Sequence, residues 1–283
     1  MQGRTVVGRF FFRLEAMMKL RLLFGVLLLF ASSAFAEDTA MDRTKESPRH
    51  HEWVTIPSVG RSVYAFVAYP ENAQKTTAVI VIHENLGLTD WVKSFADQLA
   101  AAGYIAIAPD LLSNFDSKQS RTDDFKSPDD ARRAISLLDP DRITLDLMTI
   151  QHYVSRLPSS NGKTAVVGFC WGGAQSFRFA TRSADLSAVL VFYGSPPTAE
   201  DEIRRIVAPV YGFYGGNDPR VSATIPGTQD LMKKNGKVYE YEIYNGAGHA
   251  FMRLGEDPQG TQENKTAREK SWVRIKTILS QIK

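Results

Sequence analysis

Val166-Val167-Gly168-Phe169-Cys170-Trp171-Gly172-Gly173 reads as a buried β-strand that breaks abruptly into a helix, with Cys170 at the bend. Glycines two residues before and two after the cysteine let the backbone fold tightly enough to push one side chain out above a sheet, the mechanical logic of a nucleophile elbow. A thiol stands where such elbows usually carry a serine. Short Gly-x-x-x-Gly patterns also arise by chance, and free cysteine is among the most often buried residues. The weight of the reading therefore rests on the rest of the chain.

Outward from the elbow, strands and helices alternate. The stretches 52–56 and 62–69 alternate in polarity and are rich in β-branched and aromatic residues, which predicts an antiparallel opening hairpin. Ala78-Val79-Ile80-Val81-Ile82 is a continuous apolar run, the pattern of a strand buried on both faces of a parallel sheet. A helix over 91–102, ended by Gly103, and a strand over 104–108, closed by Pro109, complete a βαβ unit. The polar stretch 111–130 is read as a surface excursion. Helices near 130–138 and 142–157 follow, then the elbow strand 164–169 and a helix to about 182. Strands at 188–193, 210–214 and 238–244 and helices at 228–235 and 262–282 finish the chain. This predicts the α/β class: one mostly parallel, doubly wound sheet flanked by helices, in a single domain over 52–283.

The 283 residues, 43% hydrophobic and 23% charged, suffice for such a domain. The net charge of +3 is mild and the two signs are interspersed, which gives no nucleic-acid footprint. Cys170 is the one cysteine, so no intramolecular disulfide and no cysteine-based zinc site can form. At the N-terminus, basic Lys19 and Arg21 precede an uncharged run from Leu22 to Ala36 that ends in Ala34-Phe35-Ala36. That is the pattern of a secretory signal peptide over 1–36, shorter than the ~20 residues of a spanning helix. Met17 or Met18 would give a more compact start. Export is expected, to the periplasm if the source is bacterial, with no stable membrane association once the signal is cleaved; an uncleaved signal would instead anchor the chain. Residues 37–51 read as a polar linker, and His50-His51 at its end as exposed polar filler.

In doubly wound sheets, function gathers at the carboxyl ends of strands. Glu84, Cys170, Asp218 and His249 each follow a predicted strand. Nucleophile, acid, histidine is also the chain order of the α/β-hydrolases. Cys170 attacks only as a thiolate, His249 accepts its proton and returns it to the leaving group, and Asp218 fixes the imidazole's tautomer. The oxyanion needs two donors, expected from the backbone N–H of Trp171 and of Asn85. His83-Glu84 does not open a metalloprotease helix, because His-Glu-x-x-His would require histidine where Gly87 stands. His83 is read as a packed or hydrogen-bonded neighbour, and His152 as filler within a helix.

With these residues assembled, the chain from about Trp53 onward resembles the dienelactone hydrolase family. The family's Gly-x-Cys-x-Gly-Gly elbow corresponds to 168–173, its Glu-x-x-Gly turn to 84–87, its Pro-Asp-Leu to 109–111, and its acid and histidine loops to Asp218 and His249. The resemblance implies hydrolysis of small esters or lactones, of the carboxymethylenebutenolidase type, through a thioester, with no metal or organic cofactor. It implies that Glu84 contacts the resting thiol until substrate rearranges the pair. It also implies arginines that hold a substrate carboxylate: Arg253, four residues after His249, and a second for which Arg132 and Arg133 both stand open. The rival readings are a broad acyl esterase or peptidase of the same fold and a noncatalytic periplasmic binding protein. A thiol redox protein ranks below these for want of a second cysteine.

Overall fold

The structure, a computed structural model, describes residues 40–72 and 74–282. The expected signal at 1–36, its cleavage site and the alternative starts lie outside the described residues. After a helix α1 over 40–46, the hairpin forms as β1 (His51–Ser58) and β2 (Arg61–Ala68), followed by β3 (Thr76–Ile82), α2 (Asp90–Ala101) and β4 (Ile105–Pro109). Then come α3 (Pro128–Ser136), α4 (Pro140–Ser155), β5 (Ser160–Phe169), α5 (Trp171–Ala180), β6 (Leu186–Phe192) and α6 (Glu200–Arg205). The chain ends with β7 (Val210–Gly215), α7 (Pro219–Ser222), α8 (Ile225–Lys234), β8 (Tyr239–Tyr244), α9 (Phe251–Leu254) and α10 (Gln262–Ser280).

The eight strands form one sheet in the order β1-β2-β4-β3-β5-β6-β7-β8. β1 and β2 pair antiparallel, as do β2 and β4, and every later pair is parallel. The expected α/β sheet is therefore present. The apolar runs are buried because helices cover both faces. On one face Trp91 and Phe95 of α2 and Ile275 and Leu279 of α10 pack against Val79, Val167 and Leu190. On the other, Ile143 and Leu147 of α4 and Phe177 of α5 pack against Ile80, Val166 and Val189. Placing β3 and β5 side by side in the middle, with Ile82 opposite Gly168, brings the Glu84 turn next to the Cys170 elbow.

Two polar stretches prove more ordered than their composition implies. The stretch read as a linker contains α1 and docks on α2. There the buried Asp97 carboxylate accepts from Arg49 at 2.6 and 2.7 Å, from His51 Nε2 at 2.7 Å and from Ser47 at 2.7 Å. His51 is thus a carboxylate partner rather than filler. Periodicity could not find this segment, because polar groups rather than an apolar stripe hold it.

The excursion after β4 likewise packs: Leu112 joins Ala131, Ala134 and Ile135 of α3 in a small core, against which Phe115, Phe125 and Trp171 pack. Its root is pinned where Asp110 accepts the Thr122 N–H at 2.6 Å and the Thr122 hydroxyl at 2.8 Å, while that hydroxyl oxygen accepts the Leu88 N–H at 2.9 Å. The Arg121 guanidinium lies 4.8 Å from the Trp53 ring centre and 4.5 Å from that of Tyr64, strapping the excursion to the hairpin.

Candidate active site

Cys170 stands between β5 and α5 with φ 55° and ψ −114°, a strained backbone conformation for any residue with a Cβ. Its N–H donates to Phe192 O at 3.0 Å and its carbonyl accepts from Ala174 N at 3.2 Å, so the bend is held from both sides. Gly172 explains how close the elbow comes to its neighbour: a Cβ there would lie 2.5 Å from Ile82 O and would also meet His83 O. The thiol pKa is pushed up to about 11, first by burial and then by the charge of Glu84. Asp218 adds to the rise, whereas the Trp171 N–H and the Arg220 guanidinium oppose it.

Asp218 caps α7, accepting the Val221 N–H at 3.4 Å on Oδ1, and its Oδ2 lies 2.6 Å from His249 Nδ1. This leaves His249 Nε2 as the nitrogen available for chemistry. The acid and histidine loops meet because Gly215 has no side chain: a Cβ there would lie 2.6 Å from Ala247 O and 2.7 Å from Gly248 O. Asn217 N donates to Ala247 O at 2.8 Å and Gly248 N to Asn264 Oδ1 at 3.0 Å, locking the two loops and tying them to α10.

Glu84 is buried. Its Oε2 accepts from Arg253 Nε at 2.9 Å and its Oε1 from the Tyr193 hydroxyl at 3.5 Å. Tyr193 is fully buried with φ 39°, and its ring centre lies 4.9 Å from that of His249. Burial, then the charge of Glu84, pushes its phenol pKa well up, so the hydroxyl remains a donor. One aromatic residue thus touches both the glutamate that acts on the thiol and the histidine of the acid pair.

Of the expected triad, the structure joins Asp218 and His249 directly and sets Cys170 in the field of Glu84; no hydrogen bond among the described residues runs from the thiol to His249. Trp171 N–H and Asn85 N–H, the expected oxyanion donors, have no backbone acceptor among the described residues. Arg253 reaches the site as expected. Arg132 and Arg133 pair instead with Asp129 and Asp130 one helical turn back on exposed α3, and none of their hydrogen bonds reaches a site residue. Sequence reasoning missed Tyr193 and Arg220. Both carried a signal, Tyr193 by following β6 directly and Arg220 by following Asp218 at two residues. Among the described residues no group of three or more His, Cys, Asp or Glu side chains is arranged to hold a metal ion.

Comparison with known proteins bears on this geometry. A family model described as the dienelactone hydrolase family matches residues 63–283. The chain belongs to that family. A protein of Saccharolobus solfataricus with the provisional name of carboxymethylenebutenolidase is 32% identical over 80% of this chain and 96% of its own. One of the same provisional name from Yersinia pestis is 31% identical over 70% of this chain and 77% of its own. Among solved structures, one titled as a provisional dienelactone hydrolase from Klebsiella pneumoniae superposes with a TM-score of 0.72, covering 82% of this chain and 99% of its own at 24% identity. That last likeness speaks for the fold. As a dienelactone hydrolase family member the chain is a hydrolase.

Proposed function

We propose that the protein hydrolyses small carboxylate-bearing esters or lactones, in the manner of a carboxymethylenebutenolidase, through a thioester on Cys170. The observation that carries the reading is the 2.9 Å ion pair between Arg253 and Glu84 beside a thiol whose pKa is raised to about 11. At rest Arg253 holds Glu84, and burial together with that carboxylate keeps Cys170 protonated. A substrate carboxylate competes for the guanidinium, for which bidentate pairing suits it. Glu84, released, swings away from the thiol, its repulsion of the thiolate falls, and His249 Nε2 takes the Cys170 proton. The thiolate then attacks the ester carbonyl, and the N–H groups of Trp171 and Asn85 receive the oxyanion. His249, held by Asp218, gives a proton to the departing alkoxide or enolate and then takes one from the water that cleaves the thioester.

The test is turnover of p-nitrophenyl acetate and of dienelactone by the purified protein, before and after exhaustive iodoacetamide treatment at pH 9, alongside Cys170→Ala. At least one substrate should be hydrolysed, and both alkylation and Cys170→Ala should abolish it. Ester cleavage that survives Cys170→Ala overturns the reading. The uncharged run ending at Ala36 supports an exported protein, and N-terminal sequencing of the mature chain tests that: a chain beginning at or before Met18 refutes cleavage.

A further inference from the structure

We propose that His83 is the positioning residue of the oxyanion hole, fixing the Glu84–Asn85 peptide on one side and the Trp171 side chain on the other, so that two amide N–H groups converge on the substrate oxygen. This rests on the reading above, in which those two amides are the donors.

His83 is fully buried, and its ring makes two polar contacts of opposite sense. Nδ1 lies 2.7 Å from Glu84 O, a carbonyl that can only accept, so Nδ1 carries the proton. Nε2 receives the Leu111 N–H at 3.3 Å, so it carries none. The tautomer is therefore set by the two backbone groups. Burial also lowers the pKa of His83, with the charges of Asp110 and Glu84 pulling the other way, in keeping with a neutral ring.

The consequence follows from peptide geometry. Glu84 C=O and Asn85 N–H belong to one planar unit, and among the described residues no peptide bond is cis. In a trans peptide the two groups point in opposite directions, so anchoring the carbonyl aims the amide. A carbonyl that accepts a hydrogen bond also polarises its own peptide and makes the opposite N–H a better donor. On its other side, the His83 ring stacks on the Trp171 indole, centres 5.4 Å apart and planes 14° apart. The main chains are registered as well, since Gly172 closes to within side-chain distance of Ile82 O and His83 O. One buried imidazole thus ties together the exits of β3 and β4 and the start of α5.

An oxyanion donor is worth about 10²- to 10³-fold in rate, and a donor left in place but badly aimed forfeits part of that, about 10- to 100-fold. The test uses the full-length enzyme with His83→Phe, which keeps a stacking ring and removes the donor, and His83→Asn, whose amide can still donate from the Nδ1 position. Two quantities are read: kcat for p-nitrophenyl acetate, and the rate at which iodoacetamide alkylates Cys170. Alkylation displaces iodide at a saturated carbon and forms no oxyanion. The expected result for His83→Phe is a kcat lower by about 10- to 100-fold with alkylation changed by less than about threefold. His83→Asn should recover at least about threefold of that loss.

A kcat within threefold of the parent, a parallel fall in both rates, or no recovery with Asn each overturns the proposal. Should the Phe variant not fold, His83→Gln, whose amide mimics Nε2 rather than Nδ1, takes its place: a lower ratio of kcat to alkylation rate than in the parent supports the proposal, an unchanged one overturns it. Failure of the underlying reading is seen separately, as ester turnover that survives Cys170→Ala.

Discussion

Glu84→Gln is the most informative single change, because it removes a charge from the thiol while keeping the side chain's shape. The Cys170 pKa stands at about 11 against an ordinary 9.0, with burial the largest cause and Glu84 the second. At pH 7 a thiol of that pKa is ionised to about one part in 10⁴. Neutralising Glu84 removes the second-largest cause, and each unit by which the pKa falls increases the thiolate at pH 7 about tenfold. A thiolate of lower pKa is also a weaker nucleophile, by about threefold per unit, so the alkylation rate at pH 7 rises only about threefold for each unit. The pH midpoint is the sharper readout and should fall. The Arg253 guanidinium, no longer neutralised by Glu84, pushes in the same direction. The assay is the rate of iodoacetamide incorporation, followed by intact mass from pH 6 to pH 11. A midpoint that stays put or moves up refutes the role given to Glu84, and inactivation by peroxide, expected to quicken in the variant, provides an independent check.

Arg253→Gln should lower kcat/KM for a carboxylate-bearing ester at least about tenfold more than for p-nitrophenyl acetate, measured side by side; equal losses contradict carboxylate capture. Arg220→Gln should move the alkylation midpoint upward, since that guanidinium opposes the rise in the thiol pKa. Asp97→Ala should cost about 3 kcal/mol in urea unfolding by stranding Arg49. Although burial by itself would raise the Asp97 pKa, the hydrogen bonds from Arg49, His51 and Ser47 outweigh it and hold it low. A depressed carboxylate stabilises the fold above its unfolded pKa of about 3.9 and loses that contribution as pH falls further, so the parent should lose stability below about pH 4 more steeply than the variant. Gly172→Ala, whose methyl would collide with Ile82 O and His83 O, should cut ester turnover by more than about 100-fold.

The parts of the fold that were legible are those where one side chain pattern has one solution. The continuous apolar run at 78–82 and the elbow strand at 164–169 fit a parallel sheet buried on both faces, and they became its adjacent central strands. Asp218 and His249 were legible because Gly215 and Gly248 mark loops at strand ends. The Arg253–Glu84 pair was half legible: each residue was placed at the site, but the ion pair between them depends on loops 169 positions apart. Helices α7 and α9 are four residues each, too short for a period to register. The polar N-terminal stretch hid its order because Asp97 and Glu256, its partners, lie far along the chain. Arg132 and Arg133 had acidic residues three positions earlier in plain view, and that spacing on a helix already accounted for both.

The contact of Arg43 with Glu256 joins residues 213 positions apart, and the same carboxylate receives Trp91 Nε1 at 3.1 Å and Arg268 at 3.0 Å. A polypeptide that emerges head first, from a ribosome or through a pore, holds Arg43 ready long before Glu256 arrives. The knot of side chains that anchors the turn just beyond Arg253 can tighten only when almost the whole chain is out. Until then Arg253, three residues before Glu256, lacks that anchor for its pairing with Glu84, so this ion pair is among the last contacts of the fold to close.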